Sequence, residues 1–212
     1  MPTIVVTRHG LTSRSRPEQH LGQQIDVGLS DEGRAQAEAL AERVAHVKFG
    51  RIVSSPLRRA LETAELIAGR GVQTDPRLLE MDYGAWEGLT YEQIAERFAA
   101  ERARWEQDPA RLPCPGGESG NDVAARVRSL LEDMLASAAD LPILVVGHST
   151  LNRILICVAL AIPIRDYRLR VIQGQVNLTA LEWKAGAAID RATALLLNDV
   201  AHVQRPPETP WE

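Results

Sequence analysis

The sequence predicts an α/β fold, a three-layer sandwich in which a mainly parallel sheet carries helices on both faces. Residues 3–7 (TIVVT) and 143–146 (ILVV) are short, continuously apolar runs rich in β-branched side chains, the pattern of strands buried on both sides. Amphipathic stretches at helical spacing lie between these runs and a third, brief one at 51–53. A polar cluster follows each run: Arg8-His9-Gly10, Ser54-Ser55 with Arg58-Arg59, and Gly147-His148-Ser149. Open α/β sheets bind ligands beyond the carboxyl ends of their strands, so three such clusters point to one shared site.

The elements follow in order. Residues 30–47 begin with Ser30, carry Asp31 and Glu32 in the first turn and set Leu40, Val44 and Val47 at helical spacing, which predicts a helix. After the strand at 51–53, Pro56 suits a first helical position, and that helix should run to about Ala68 before Gly69. Residues 78–88 form a loop rich in glycine and aromatics, and Thr90 with Gln93 offers a capping box for the next helix. The prolines and glycines of 108–120 mark the clearest loop, followed by a long amphipathic helix over 121–138. Pro142 precedes the 143–146 strand, and a helix over 151–161 follows Ser149. Residues 176–183 and 188–197 read as two further strands. A single domain over 1–202 is expected, with a loose, proline-bearing tail over 203–212.

At 212 residues the chain can bury a real core without staples. Its net charge of −4 argues against a general nucleic-acid binder. Residues 1–60 nevertheless hold nine Arg/Lys against six Asp/Glu, a local surplus suited to an anionic substrate. Cys114 and Cys157 match no metal spacing and read as reduced thiols. The opening MPTIVV has no basic segment or cleavable apolar stretch, and the apolar run near 154–164 is too short to span a bilayer. A cytoplasmic protein without membrane attachment is expected.

Transfer of a phosphoryl group needs a nucleophile, positive charge around the phosphoryl oxygens and a proton for the leaving oxygen. A neutral imidazole can attack if its other ring nitrogen is held by an acceptor such as a backbone carbonyl. His9, past a buried strand and before Gly10, could be held that way. Arg8 and Arg59 supply guanidinium forks that match phosphate oxygens, and His148 adds donors. Glu80, between Leu79 and Met81, is the best proton donor, because apolar neighbours suit a general acid; Asp82 and Glu87 are its rivals. Arg58 is expected to be surface charge.

These residues carry a resemblance. T-R-H-G at 7–10, S-S-P-L-R-R-A-L-E-T-A at 54–64, L-L-E-M-D-Y-G-A-W-E-G at 78–88, P-G-G-E-S at 115–119 and V-V-G-H-S at 145–149 resemble the histidine phosphatase superfamily, phosphoglycerate-mutase-like branch, from residue 3 to about 200. The resemblance implies phosphomonoester hydrolysis by a broad-specificity phosphatase, with His9 as phosphorylated nucleophile, Arg8, Arg59 and His148 as phosphate pocket and Glu80 as proton donor. It implies neither a metal nor an organic cofactor. The expected partner is a small phosphorylated metabolite, and a homodimer is compatible with the reading. Thr12, Arg14, Ser15 and Arg16, on the loop leaving His9, and Ser149 are the expected outer substrate contacts; His20 shares that loop without an assigned role. Relatives usually carry Glu or Gln after R-H-G and Asn at the place of Ser15, and often Gln at the place of Leu21. Here Leu11, Ser15 and Leu21 alter this second tier of contacts.

Two rivals are distinguishable. A phosphoglycerate mutase of the same family would usually carry inserted segments, and this chain is compact. A serine hydrolase would use Ser149 in L-P-I-L-V-V-G-H-S-T-L with Asp199 and His202. There Leu151 replaces the last elbow glycine, and the 7–10 and 54–64 blocks go unexplained.

Overall fold

In the computed structural model, which describes residues 1–69, 71–137 and 141–203, the apolar runs become the centre of one sheet. Strands β1 (Thr3–Arg8), β2 (Arg51–Ser54), β3 (Gln73–Thr74) and β4 (Ile143–Gly147) lie parallel in the order β3-β2-β4-β1. Strands β5 (Leu178–Glu182) and β6 (Thr193–Asp199) continue it antiparallel beyond β1. The helices are α1 (Asp31–Val44), α2 (Arg58–Ala68), α3 (Tyr91–Arg97), α4 (Ala99–Gln107), α5 (Gly120–Ala136), α6 (Ser149–Ala159) and α7 (Tyr167–Arg170).

Both faces of β4 are buried, as its unbroken apolar sequence requires. Leu144 and Val146 pack on Ala60 and Ala64 of α2, while Ile143 and Val145 face Val127 and Leu131 of α5 and Ile154 and Leu155 of α6. Burying each such side chain contributes on the order of 1.5–3 kcal/mol. Register does the rest. Arg8 stands opposite Gly147, and Ser54 opposite Val146, so the three polar clusters leave the sheet at one edge.

Several boundaries differ from expectation. Ser30 caps α1 through the Gly33 N–H, but the helix ends at Val44 rather than 47. Pro56 precedes α2 instead of opening it, and Leu57 is the cap. The Thr90–Gln93 capping box is present, yet its helix stops at Arg97, and a non-helical φ of −130° at Phe98 separates α3 from α4. Helix α5 is described to Ala136, and residues 138–140 lie outside the described residues. Helix α6 begins at Ser149, two residues early. The strand expected at 188–197 is shifted to Thr193–Asp199. Ile189 is instead bound through its carbonyl to the Trp183 indole (3.0 Å), and the Ala192 N–H donates to Ala159 of α6 (3.0 Å), which makes 183–192 the hairpin loop. The expected tail lies, from residue 204 on, outside the described residues. Among the described residues no helix is long and apolar enough to cross a membrane.

Candidate active site

At the end of β1 the His9 N–H continues the ladder to the Gly147 carbonyl (3.1 Å), and the His9 ring turns back so that Nδ1 meets the Gly10 carbonyl (2.7 Å). That contact requires the proton on Nδ1 and leaves the Nε2 lone pair free. Two glycines make the turn. A Cβ on Gly10 would run into the Gly33 carbonyl, and one on Gly33 into the Leu11 carbonyl, so the first turn of α1 sits hard against the backbone behind the ring. Thr63 of α2 links the same loop to the next strand end. Its hydroxyl accepts from the Gly10 N–H (3.1 Å) and donates to the Arg59 carbonyl (2.7 Å).

Around His9 stand the other strand-end groups. The Arg59 guanidinium, 1% exposed, donates to the Gly22 (2.7 Å) and Ile25 (3.0 Å) carbonyls. Arg8 donates to the Gln173 carbonyl (3.1 Å) and to Glu18 (2.8 Å), while Asn177 of the antiparallel side accepts from its backbone N–H (3.2 Å). His148 is fully buried as the cap of α6, with its ring edge-on to His9 at a centroid distance of 5.2 Å. Among the described residues, Arg8 Nε, Arg59 Nε and both ring nitrogens of His148 have no hydrogen-bond partner. Burial, then the Arg59 and Arg8 charges, hold the His9 ring well below its usual pKa, against the Gly10 carbonyl, which favours the charged form. Burial, then Arg59, does the same to His148. Both rings are therefore neutral near pH 7, and buried N–H donors converge on one imidazole, an arrangement suited to an oxyanion.

Glu80 lines the same cleft, whose volume is about 460 Å³, whereas Asp82 and Glu87 do not. Asp82 accepts from the Gly84 N–H, and Glu87 from the N–H groups of Gln23 and Gln24. The surroundings of Glu80 correct the expectation of an apolar carboxyl. Leu78 and Met81 are buried nearby, but the carboxylate oxygens accept from the N–H groups of Met81 (2.8 Å), Leu151 (3.0 Å) and Thr150 (3.2 Å), at the start of α6. A helix N-terminus is a ready acceptor site for a carboxylate.

Of the expected outer contacts, Arg14, Ser15 and Ser149 line the cleft, as does His20. Thr12 does not. It is buried, and its hydroxyl and N–H are spent on Ser15 in the local turn. Arg16 is turned away, in a two-pronged pair with Glu32 of α1 (2.9 and 3.0 Å), and lines a separate hollow. Leu11 is a buried packing residue, whereas Leu21, also buried, lines the cleft with Ser15. Arg58 is exposed and pairs with Glu62.

Other contributors were not visible in the sequence. Arg126 of α5 donates to the carbonyls of Arg77, Leu79 and Glu80 and pairs with Glu118 (3.1 Å), clamping the segment that carries Glu80. Gln23 also donates to the Glu80 carbonyl (2.8 Å) and to Glu118 (3.2 Å). Arg153, one turn into α6 from Ser149, lines the cleft; the i, i+4 spacing from Ser149 was the one available signal. Among the described residues no cluster of three or more His, Cys, Asp or Glu could hold a metal ion. The serine-hydrolase arrangement is not assembled. His202 binds the Val176 carbonyl (2.8 Å) and lines the hollow beside Arg16, whereas Ser149 lines the cleft of His9.

Comparison with known proteins gives the family and the fold. The model of the histidine phosphatase superfamily (branch 1) matches residues 4–194. Glucosyl-3-phosphoglycerate phosphatase of Mycobacterium tuberculosis is 36% identical over 197 residues, 87% of each chain. Phosphoserine phosphatase 1 of Hydrogenobacter thermophilus is 28% identical over 170 residues, 79% of this chain and 80% of that one. A solved structure of the mycobacterial glucosyl-3-phosphoglycerate phosphatase with VO3 superposes with a TM-score of 0.82 at 34% identity, covering 92% of this chain and 98% of that one.

Proposed function

Because the chain belongs to the histidine phosphatase superfamily, branch 1, we propose that it hydrolyses small phosphomonoesters through a phosphohistidine on His9. The observation that carries this is the ring of unpartnered buried donors (Arg8 Nε, Arg59 Nε and His148) around an imidazole whose Nδ1 is tied to a carbonyl. His9 Nε2 attacks phosphorus, and the bond from phosphorus to the ester oxygen breaks. Glu80 gives its proton to the departing oxygen. Water then attacks the phosphohistidine, Glu80 accepts the proton that water loses, the P–N bond breaks and inorganic phosphate leaves. Arg8, Arg59 and His148 stabilise the equatorial oxygens through both steps.

The relatives named above are phosphatases, which favours hydrolysis over the mutase alternative. Cys114 and Cys157 are buried free thiols, which supports a cytoplasmic location. The test is release of inorganic phosphate from a panel of phosphomonoesters with EDTA present. Turnover that persists in EDTA and disappears in His9→Ala is expected. Turnover that needs an added divalent cation, or that survives in His9→Ala, would refute the scheme.

A further inference from the structure

Each arginine that lines the cleft can be asked what already holds it. Arg59 is held by two carbonyls, Arg8 by Glu18 and a carbonyl, and Arg14 by the side-chain oxygen of Gln19 (3.2 Å). Arg168 lies over the Trp105 ring, 4.7 Å from its centroid. Arg153 has none of these. Among the described residues it makes no hydrogen bond and no ion pair, although it is partly buried and its Nε is shielded from solvent. The acids close enough to feel it are already engaged. Glu18 accepts from Arg8, and Glu80 accepts from three backbone N–H groups. The neighbouring Tyr83 hydroxyl is taken by Thr150 (2.7 Å).

A guanidinium whose Nε is shielded from solvent and has no partner carries a cost, which is recovered when an anion arrives. Position says which anion. Arg153 stands one helical turn beyond Ser149, on the same face of α6, and lines the cleft with Arg8, Glu80, Tyr167 and Arg168. It lines the cleft that holds His9, close enough to Arg8 and Glu80 to feel both charges. A second negative group on the alcohol part of a substrate would therefore reach it, while the phosphoryl group stays on His9.

We propose that Arg153 anchors a second anion subsite, which makes the preferred substrates phosphomonoesters whose alcohol carries a further carboxylate or phosphate. Arg168 and Arg14 add positive charge at the rim. This inference rests on the assignment of the cleft as a phosphatase site, and it moves the selectivity away from Arg16, which faces Glu32.

The test uses three esters on one carbon skeleton: glycerol 3-phosphate, 3-phosphoglycerate and glycerol 1,3-bisphosphate. The wild-type chain should favour the two with a second anion in kcat/KM by about 10- to 100-fold, the size of one charge-assisted hydrogen bond in a shielded site. Arg153→Gln should collapse that ratio towards one, chiefly through KM, and Arg153→Lys should recover part of it. Loss of the preference for only one of the two anionic esters also supports the subsite and identifies the anion it takes. If Arg153→Gln folds poorly by thermal melting, the wild-type ratio and its decline in Arg168→Gln read the same subsite. A wild-type ratio within about twofold of one, or an equal loss on all three esters in Arg153→Gln, overturns the subsite. Absence of phosphate release from every ester overturns the phosphatase assignment instead, so the two failures are distinguishable.

Discussion

At the floor of the cleft the Arg59 guanidinium is held by two backbone carbonyls, whereas at the mouth Arg14 is held by one glutamine and Arg168 by the face of an indole. The same contrast separates His9, fixed by its own backbone and by Gly10, from His20, whose ring bonds the Leu89 carbonyl (3.2 Å) at the rim. Floor groups stand at the ends of β1 and β4 and in the first turn of α2, against the buried core. Mouth groups hang on residues 14–20 of the loop that follows His9, whose later carbonyls at Gly22 and Ile25 reach in to hold Arg59, and on the short α7. Developing charge on a phosphoryl group is stabilised best by dipoles that need no rearrangement, so the fixed floor suits the chemistry. The looser mouth suits the choice of ester.

If that division is right, substitutions should fall into two sizes. Glu80→Gln removes the proposed proton donor and should cost about 10²–10⁴-fold in kcat on alkyl phosphates, with little loss on an aryl phosphate whose leaving group needs no proton. Steady-state rates on the two ester types check it; an equal loss on both would assign Glu80 to binding instead.

Gly10→Ala breaks the floor without touching a donor. Its Cβ would collide with the Gly33 carbonyl, so about 1–3 kcal/mol of destabilisation is expected from the overpacking alone. Activity should drop further than stability, because the acceptor of His9 Nδ1 moves with the backbone. Denaturant melts beside kcat values would show whether the two losses separate.

Arg126→Gln should lower kcat on alkyl phosphates about tenfold with KM nearly unchanged, since Arg126 acts through the carbonyls that hold Glu80 and general acid catalysis is worth at least that much. An aryl phosphate should register little change, a pattern that mere loosening of the fold would not give.

Stability should also depend on pH in a way that the floor dictates. His9 and His148 are both held below the ordinary value of 6.5, chiefly by burial, so the unfolded chain binds more protons than the folded one beneath that value. The stability that comes from keeping these rings neutral is present above pH 6.5 and is lost as pH falls below it. Thermal melts from neutral to mildly acidic pH should show Tm falling, and the fall should be shallower in a His9→Gln/His148→Gln variant. An identical slope in the two proteins would contradict the assignment of neutral rings.

Smallest of all, Arg16→Gln should change kcat/KM by less than about twofold, because an exposed pair such as Arg16–Glu32 is worth only about 0–1 kcal/mol and faces another hollow. Arg14→Gln, at the mouth, should have the larger effect on anionic esters, and the reverse order would mean that the loop turns over in solution.

What could be read without the fold follows the same division. The strands β1 and β4 were legible because burial on both faces forces an unbroken apolar run, and once two strand ends are placed, His9 and His148 follow. Arg59 was singled out only by the resemblance, since Arg58 shares its place at the start of the helix after β2. The positioning of Glu80 was not. Its clamp, Arg126, sits 46 residues away on α5, and nothing local distinguishes that arginine from its exposed neighbours. Thr12 and Arg16 show the converse failure. Both lie within seven residues of His9 in sequence, yet one is consumed by a turn and the other by α1, because a loop's side chains alternate direction with no period to read. The strand at Thr193–Asp199 slid for a similar reason, since Ile189 and Ala192 look like strand residues and are used by Trp183 and α6.

The central claim is that the floor is arranged to carry a phosphoryl group on one imidazole. Brief incubation with a turned-over phosphomonoester, an alkaline quench and mass mapping of the peptides tests it directly. A base-stable, acid-labile gain of one phosphoryl group on the peptide containing His9, absent in His9→Ala, is the predicted result. A label on Ser149, or steady turnover with no label on His9 at any time point, would contradict it.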